Sequence, residues 1–179
     1  MERAWLFDSL CVTVAAVDFL DPELQSQPDA RERGVRVEIR PTTYTPTGGT
    51  VYASPPVSLH PALCRIDLLE SRPGAADRMH WHPAMRSGEP GDRTFDSALS
   101  ADPIGWLRER LRDLDRLLGG PSVADASGFG ADLGAVARVA DEVVDAVCAG
   151  LDSSRADWPD VEHDERGMAI AADGRRKGR

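Results

Sequence analysis

Residues 35–40 read Val-Arg-Val-Glu-Ile-Arg, an uninterrupted alternation of apolar and charged side chains. Successive side chains of a β-strand point to opposite sides, so this stretch predicts a strand with one face in a core and the other in water. Pro41 then removes a backbone donor, which favours an edge or a bulge at this end of the strand. The chain is therefore expected to build a half-buried sheet around residues 35–40.

Further strands are predicted on both sides of this one. Leu10–Leu20 is rich in β-branched residues and apolar on both faces, as in a central strand, although its apolar residues also fit a helical stripe. Residues 46–49, Pro-Thr-Gly-Gly, have turn chemistry and predict a hairpin whose return strand is Thr50–Ser54. Leu63–Glu70 and Asp77–His82 are predicted to form another strand pair around an intervening turn.

After residue 101 the apolar residues recur at the spacing of a helix rather than that of a strand. Asp102 has the side chain of an N-cap, and Pro103 stands at the first helical position, where a missing N–H costs nothing. An amphipathic helix is predicted over residues 103–118 because five aliphatic residues recur at spacings of three and four: Ile104, Leu107, Leu111, Leu114 and Leu118. A second helix is predicted over about 133–149, ended by Gly150.

Strands precede helices along the chain, which favours an α+β fold over a parallel βαβ sheet. The predicted fold is a mainly antiparallel sheet of about five strands over residues 10–83, packed by two C-terminal amphipathic helices. A length of 179 residues suits one domain, placed here at residues 1–152. Residues 153–179, acidic and then basic, offer too little apolar surface and are expected to be disordered or loosely docked.

Composition limits the partners and the compartment. The formal net charge of −9 argues against a nucleic-acid binder, which needs basic residues to displace counterions from phosphates. No run approaches the ~20 apolar residues of a membrane span, and apolar residues 9–17 lack the positive flank of a secretory signal. The three cysteines are widely spaced and form no CxxC pair, which favours a reducing compartment. A cytoplasmic protein that binds neither nucleic acid nor membrane is therefore expected.

The candidate chemistry centres on residues 79–83, Met-His-Trp-His-Pro. Residues two apart in a strand share a face, so His80 and His82 are expected to project together. Two imidazoles on one face can bind a divalent metal such as zinc, iron or manganese. The same histidines are also compatible with a half-exposed strand in which each ring simply hydrogen-bonds to its neighbours.

The third ligand depends on the strand register. Pairing residue 70 with residue 76 places Cys64 opposite His82, whereas a slip of one residue brings Leu63 and Arg65 to the histidine face instead. His60, in a loop, and Glu89, beyond a Gly- and Pro-rich stretch, are further candidates to complete the shell. The candidate metal ligands are thus His80, His82, His60, Cys64 and Glu89.

Two hypotheses of function follow. No nucleophile elbow and no standard nucleotide-binding motif occurs in the sequence, which favours a non-catalytic accessory or interaction module that docks a partner or a second copy. The alternative is a small divalent-metal-dependent enzyme centred on His80 and His82. The charged row Arg36, Glu38 and Arg40 could also hold a carboxylate or phosphate, although a solvated strand face has the same appearance.

Overall fold

A computed structural model describes residues 2–27, 29–45, 48–49, 52–119 and 129–170, and it shows an antiparallel sheet covered on one face by helices. The strand order is β1-β2-β3-β5-β6, and β4 also pairs with β3. Every pair in this sheet is antiparallel. The strands are β1 Glu2–Leu6, β2 Leu10–Leu20, β3 Arg31–Tyr44, β4 Val57–Leu59, β5 Cys64–Glu70 and β6 His80–His82.

The remaining elements within the described ranges are four helices and two small hairpins. The helices are α1 Ser97–Ala101, α2 Pro103–Arg112, α3 Leu114–Leu118 and α4 Gly130–Ala156. The hairpins are formed by β7 Met85–Arg86 with β8 Glu89–Pro90, and by β9 Glu162–His163 with β10 Ala169–Ile170. None of the helices in the described part of the chain combines the length and apolar character that crossing a bilayer requires.

The core lies between the helices and one face of the sheet. Val35, Val37 and Ile39 project into it, as their alternation with charged residues predicts, and all three are fully buried. The register pairs them with Leu68, Ile66 and Cys64 of β5, so the apolar positions of adjacent strands coincide. The opposite side of the sheet, called the polar face below, carries Arg36, Glu38, Arg65, Asp67, His80 and His82.

The predicted α+β class is confirmed, and the local differences have physical reasons. The first helix breaks at Asp113, and the second is longer than predicted, because its stripe continues through buried Leu151 and Ser154. Strand β3 is central rather than an edge, and Pro41 lies where its pairing partner changes from β5 to β4. The short strand β1 was not predicted, because its side chains are mostly exposed and show no apolar alternation.

Two predicted segments are only partly described. The strand that returns to β3 is Val57–Leu59; residues 52–54 of the predicted return strand lie outside any strand, and residues 50 and 51 lie outside the described part. Of the predicted tail, residues 153–156 continue α4, and Ala169 is buried and donates its N–H to the Gln25 carbonyl at 2.6 Å. Residues 171–179 lie outside the described residues.

Gly34 permits the close approach of β3 and β5 above the α4 helix. A Cβ atom at this position would lie 2.1 Å from the Leu68 carbonyl oxygen, which cannot move without disturbing the ladder. Gly34→Ala is therefore expected to lower the free energy of unfolding by about 1 to 3 kcal/mol. Urea denaturation measures this change.

The matched control is Gly134→Ala in α4, where a new Cβ meets nothing nearer than the Arg138 Nη1 atom at 3.7 Å. That variant should be neutral or stabilised by up to about 1 kcal/mol, because alanine is the better helix former. Equal stability for the Gly34 variant and wild type would contradict the strand register.

Candidate metal centre

The register of β5 and β6 places both histidines on the polar face. Asp67 lies directly opposite His80, and Arg65 lies opposite His82. Trp81, between the two histidines, points the other way and packs on the core, with its ring 5.9 Å from the Trp106 ring. Because side chains alternate along a strand, the tryptophan anchors β6 so that both imidazoles face Asp67.

Cys64 is not part of this cluster, because the register is shifted by one residue from the pairing that would place it opposite His82. The physical reason is the apolar alternation of Cys64, Ile66 and Leu68, which must face the helices, so that Arg65 and Asp67 turn to the polar face. Cys64 is fully buried in the core, and burial raises the pKa of its thiol to about 12. Cys64 therefore faces the helices and not the two imidazoles.

His60 and Glu89 also lie away from the two histidines. His60 is exposed, and its Nε2 hydrogen-bonds to the Thr43 hydroxyl at 2.7 Å. Glu89 is exposed on β8, beyond a two-residue turn formed by Ser87 and Gly88, both of which have positive φ. A two-residue turn of this kind folds the chain directly back on itself, so Glu89 pairs with Arg86 in the β7–β8 hairpin.

Asp67, which is not among the ligands predicted from the sequence, takes the third position. Its Oδ2 atom lies 3.4 Å from His80 Nε2 and 3.7 Å from His82 Nε2. Donor atoms of these three buried residues all lie within 4.8 Å of one another, and they form the one such cluster of three or more His, Cys, Asp or Glu residues in the described ranges. A signal was available, since Asp67 is an acidic residue in a buried strand on the face opposite the apolar positions.

Backbone carbonyls orient both imidazole rings. His80 Nδ1 bonds to the Arg78 carbonyl at 2.9 Å, and His82 Nδ1 bonds to the Gly91 carbonyl at 2.8 Å. A carbonyl can only accept, so Nδ1 carries the proton and, in the neutral ring, Nε2 presents its lone pair toward Asp67. The β7–β8 hairpin places the Gly91 carbonyl, because the Gly91 N–H closes that loop on the Ala84 carbonyl at 3.0 Å.

Two arginines hold the Asp67 carboxylate. Arg36 Nε donates to Oδ1 at 2.7 Å, and Arg65 Nε lies 2.8 Å from Oδ2, although out of line for a hydrogen bond. Burial acts to raise the pKa of Asp67, but His80, Arg36 and Arg65 together outweigh it and hold the pKa at about 2. His80 Nε2 lies 3.4 Å from the carboxylate, whereas the Nε atoms of Arg36 and Arg65 approach to 2.7 and 2.8 Å, so we ascribe the lowering of this pKa chiefly to the arginines. Asp67 is therefore ionised at neutral pH.

Two atoms of the cluster are buried without a hydrogen-bond partner among the described residues, His80 Nε2 and Asp67 Oδ2. His82 Nε2 differs, because Arg65 Nη2 lies 3.0 Å from it. Burial lowers the pKa of His82, and the nearby charge of Arg65 lowers it further. The hydrogen bond to the Gly91 carbonyl acts in the opposite direction but does not outweigh them. His82 is thus neutral at neutral pH and can present a lone pair.

A second carboxylate lies beside the cluster. Glu32 is 1% exposed, and neither of its side-chain oxygens has a hydrogen-bond partner in the described part of the chain. Burial raises the pKa of Glu32, whereas the Arg93 guanidinium, 3.8 Å away, lowers it. Arg93 also lies 3.8 Å from Asp21. Phe95 is 67% exposed beside His80, with 5.7 Å between the ring centres.

No protein family, curated protein or solved structure matches this chain. The chemistry of the site therefore rests on its own side chains.

The depressed pKa of Asp67 makes stability depend on pH. The unfolded chain binds the proton near pH 4, and the folded protein binds it only near pH 2, so the stabilisation is full above about pH 5 and is lost as pH falls toward 2. Asp67→Asn is expected to lower the free energy of unfolding at pH 7 by about 2 to 3 kcal/mol, and the difference should shrink as the pH falls from 4 to 2.

Urea denaturation at a series of pH values measures this difference. Asp141→Asn is the control, because Asp141 also pairs with two arginines, Arg108 and Arg112, but on the helix surface, where screening leaves little effect. If the difference in free energy of unfolding between wild type and Asp67→Asn stayed constant from pH 7 to pH 2, ionisation of Asp67 would not be the cause of the stabilisation.

Proposed function

We propose that the polar face holds a divalent metal ion, ligated by His80 Nε2, His82 Nε2 and Asp67 Oδ2, and that the protein is a small metal-dependent enzyme. The observation that carries this proposal is the convergence of these three buried donors, two of which lack any hydrogen-bond partner in the described ranges. Buried polar atoms are nearly always hydrogen-bonded, so a buried imidazole nitrogen facing a buried carboxylate oxygen, neither with a hydrogen-bond partner in the described ranges, favours a ligand site.

The protonation states suit a metal. Metal ligands must be deprotonated, and the carboxylate of Asp67 is ionised while the Nε2 atom of His82 is free of a proton at neutral pH. Each imidazole already donates its other ring N–H to a backbone carbonyl, the outer-shell arrangement typical of metal-bound histidines.

Catalysis is favoured over a purely structural ion by the number of protein ligands. Structural zinc sites are closed by four protein ligands, whereas two histidines and one carboxylate leave coordination positions for exogenous ligands. The same donor set is used for non-haem iron(II), and it also accepts zinc or manganese. A metal at this site would act on a small molecule bound at its open positions.

Arg65 is the one group that a metal must displace. Its Nη2 atom lies 3.0 Å from the His82 lone pair, and its Nε atom lies 2.8 Å from Asp67 Oδ2. A divalent ion at these donors would repel the guanidinium and take both contacts from it. Metal binding therefore requires Arg65 to rotate while the backbone of β5 stays in register.

The metal is tested by titrating chelator-treated protein with Zn²⁺, Co²⁺ or Mn²⁺ in a calorimeter. We expect one ion per chain, and His80→Ala and His82→Ala should each weaken binding by more than about 100-fold, exceeding the loss typical of outer-shell changes. Circular dichroism of each variant verifies that it folds.

His60→Ala is the matched control, because His60 is exposed and its Nε2 atom hydrogen-bonds to Thr43 of β3. Its metal affinity should equal that of wild type. Binding that survived in the His80 and His82 variants, or that was lost in the His60 variant, would contradict the proposed ligand set.

An interaction module remains the second candidate, and one surface favours it. Tyr44, Val57 and Leu59 share one face of the β3–β4 pair, and all three are exposed. Adjacent exposed apolar side chains on a short edge strand are typical of a docking surface. This apolar surface of the β3–β4 pair would then contact a second copy of the chain.

Light scattering tests this candidate. If the β4 surface mediates self-association, wild type should show the mass of a dimer and Leu59→Asp that of a monomer. Leu6→Asp, a change at an equally exposed leucine on β1, should leave the dimer intact. A monomeric wild-type protein at high concentration would remove self-association through this surface.

A further inference from the structure

Acidic and basic side chains occur in equal numbers in the ion pairs on and beside the polar face. Five carboxylates and five guanidinium groups of the described chain are joined there by ion pairs. The acidic residues are Asp21, Asp29, Glu32, Glu38 and Asp67, and the basic residues are Arg36, Arg40, Arg65, Arg78 and Arg93. Without any further ion, the cluster therefore carries no net charge while all ten groups are ionised.

A divalent metal would upset this balance. An imidazole binds a metal in its neutral form, so Asp67 would be the single anionic ligand, and its charge is already matched by Arg36 and Arg65. The ion would therefore add two uncompensated positive charges next to side chains that are 2% exposed or less. Unpaired charge at such burial is strongly unfavourable, so the metal requires an anion beside it.

The side chain of Arg65 indicates which kind of anion would accompany the metal. Once the His82 lone pair binds the metal, the Arg65 Nη2 donor loses its acceptor, although its side chain is 13% exposed and reaches little water. A guanidinium presents donors in a planar fork that matches the two oxygens of a carboxylate or of a phosphate. The displaced fork remains next to the open positions of the metal.

We propose that the substrate or co-ligand of this centre is a small oxyanion, a carboxylate or phosphate, that binds the metal with one oxygen and Arg65 with another. This inference rests on the proposed metal site and adds to it the chemical class of the ligand. Arg65 then has two alternative partners: Asp67 with His82 when the metal is absent, and the oxyanion when the metal is bound.

The test uses Co²⁺-loaded full-length protein in perchlorate of constant ionic strength. Acetate or inorganic phosphate is titrated and followed by the visible absorption of the metal, with acetamide as the neutral counterpart of acetate. We expect acetate or phosphate, but not acetamide, to change the cobalt spectrum in a saturable way. Saturating anion should raise the metal affinity at least about 10-fold, an ordinary size for coupling between two ligands.

Two variants separate the role of Arg65 from general charge. Arg65→Gln should keep or strengthen metal binding, because a competing cation is removed, and should reduce the anion effect to less than about 2-fold. Arg112→Gln removes the same charge from the helix surface, where Arg112 pairs with Asp141, and should leave the anion effect unchanged.

The outcomes distinguish the two proposals. Absence of metal binding overturns the proposed function and this inference together. Metal binding with identical responses to acetate and acetamide, as for an ion that retains water or hydroxide, overturns this inference alone. Equal anion affinity with and without metal, or an anion effect that survives in Arg65→Gln, also overturns it.

Discussion

A carboxylate buried between two guanidinium groups is the interaction on which the polar face depends. Asp67 is fully buried on a central strand, where an unpaired negative charge would be costly, so without a metal ion Arg36 and Arg65 must stay beside it. These three residues occupy adjacent positions on β3 and β5, and the antiparallel register brings them together. The same register places the histidines of β6 opposite Asp67 and Arg65.

The charged cluster is supported by the apolar side of the same strands. Each residue of the polar face alternates with a core residue, so a slip that exposed Ile66 or Trp81 would also bury Arg65 among the helices. The helices thereby determine the geometry of a site on the opposite face of the sheet. A site built on strands in this way holds its donors more rigidly than one built on loops, which suits a metal centre.

Much of the fold was predictable because its signals are local. The alternation in residues 35–40, the composition of Leu10–Leu20 and the stripe of residues 103–118 indicate two strands and a helical region, although the stripe does not show the break at Asp113. Strand β1 and helix α1 were not predictable in this way, because β1 is mostly exposed without apolar alternation and α1 spans only five residues. Their conformations depend on tertiary contacts with the sheet and with α2.

The site was predictable only in part, because it depends on register. That His80 and His82 share a face follows from the strand period alone. The third member does not, since turn length allows two pairings and a slip of one residue exchanges Cys64 for Arg65. The apolar positions of β5 could have decided between these two pairings. The ion pair of Glu32 and Arg93 could not be predicted in the same way, because the two residues come from distant parts of the chain and no sequence spacing indicates that they meet.

Anomalous diffraction from crystals grown with zinc tests the central claim most directly, because it locates the ion without reference to activity. The proposed metal site predicts one strong peak at about 2.0–2.2 Å from His80 Nε2, His82 Nε2 and Asp67 Oδ2, with the Arg65 guanidinium moved off His82. A peak at His60 or at Glu89, or none at Asp67 with zinc present in excess, would contradict the account.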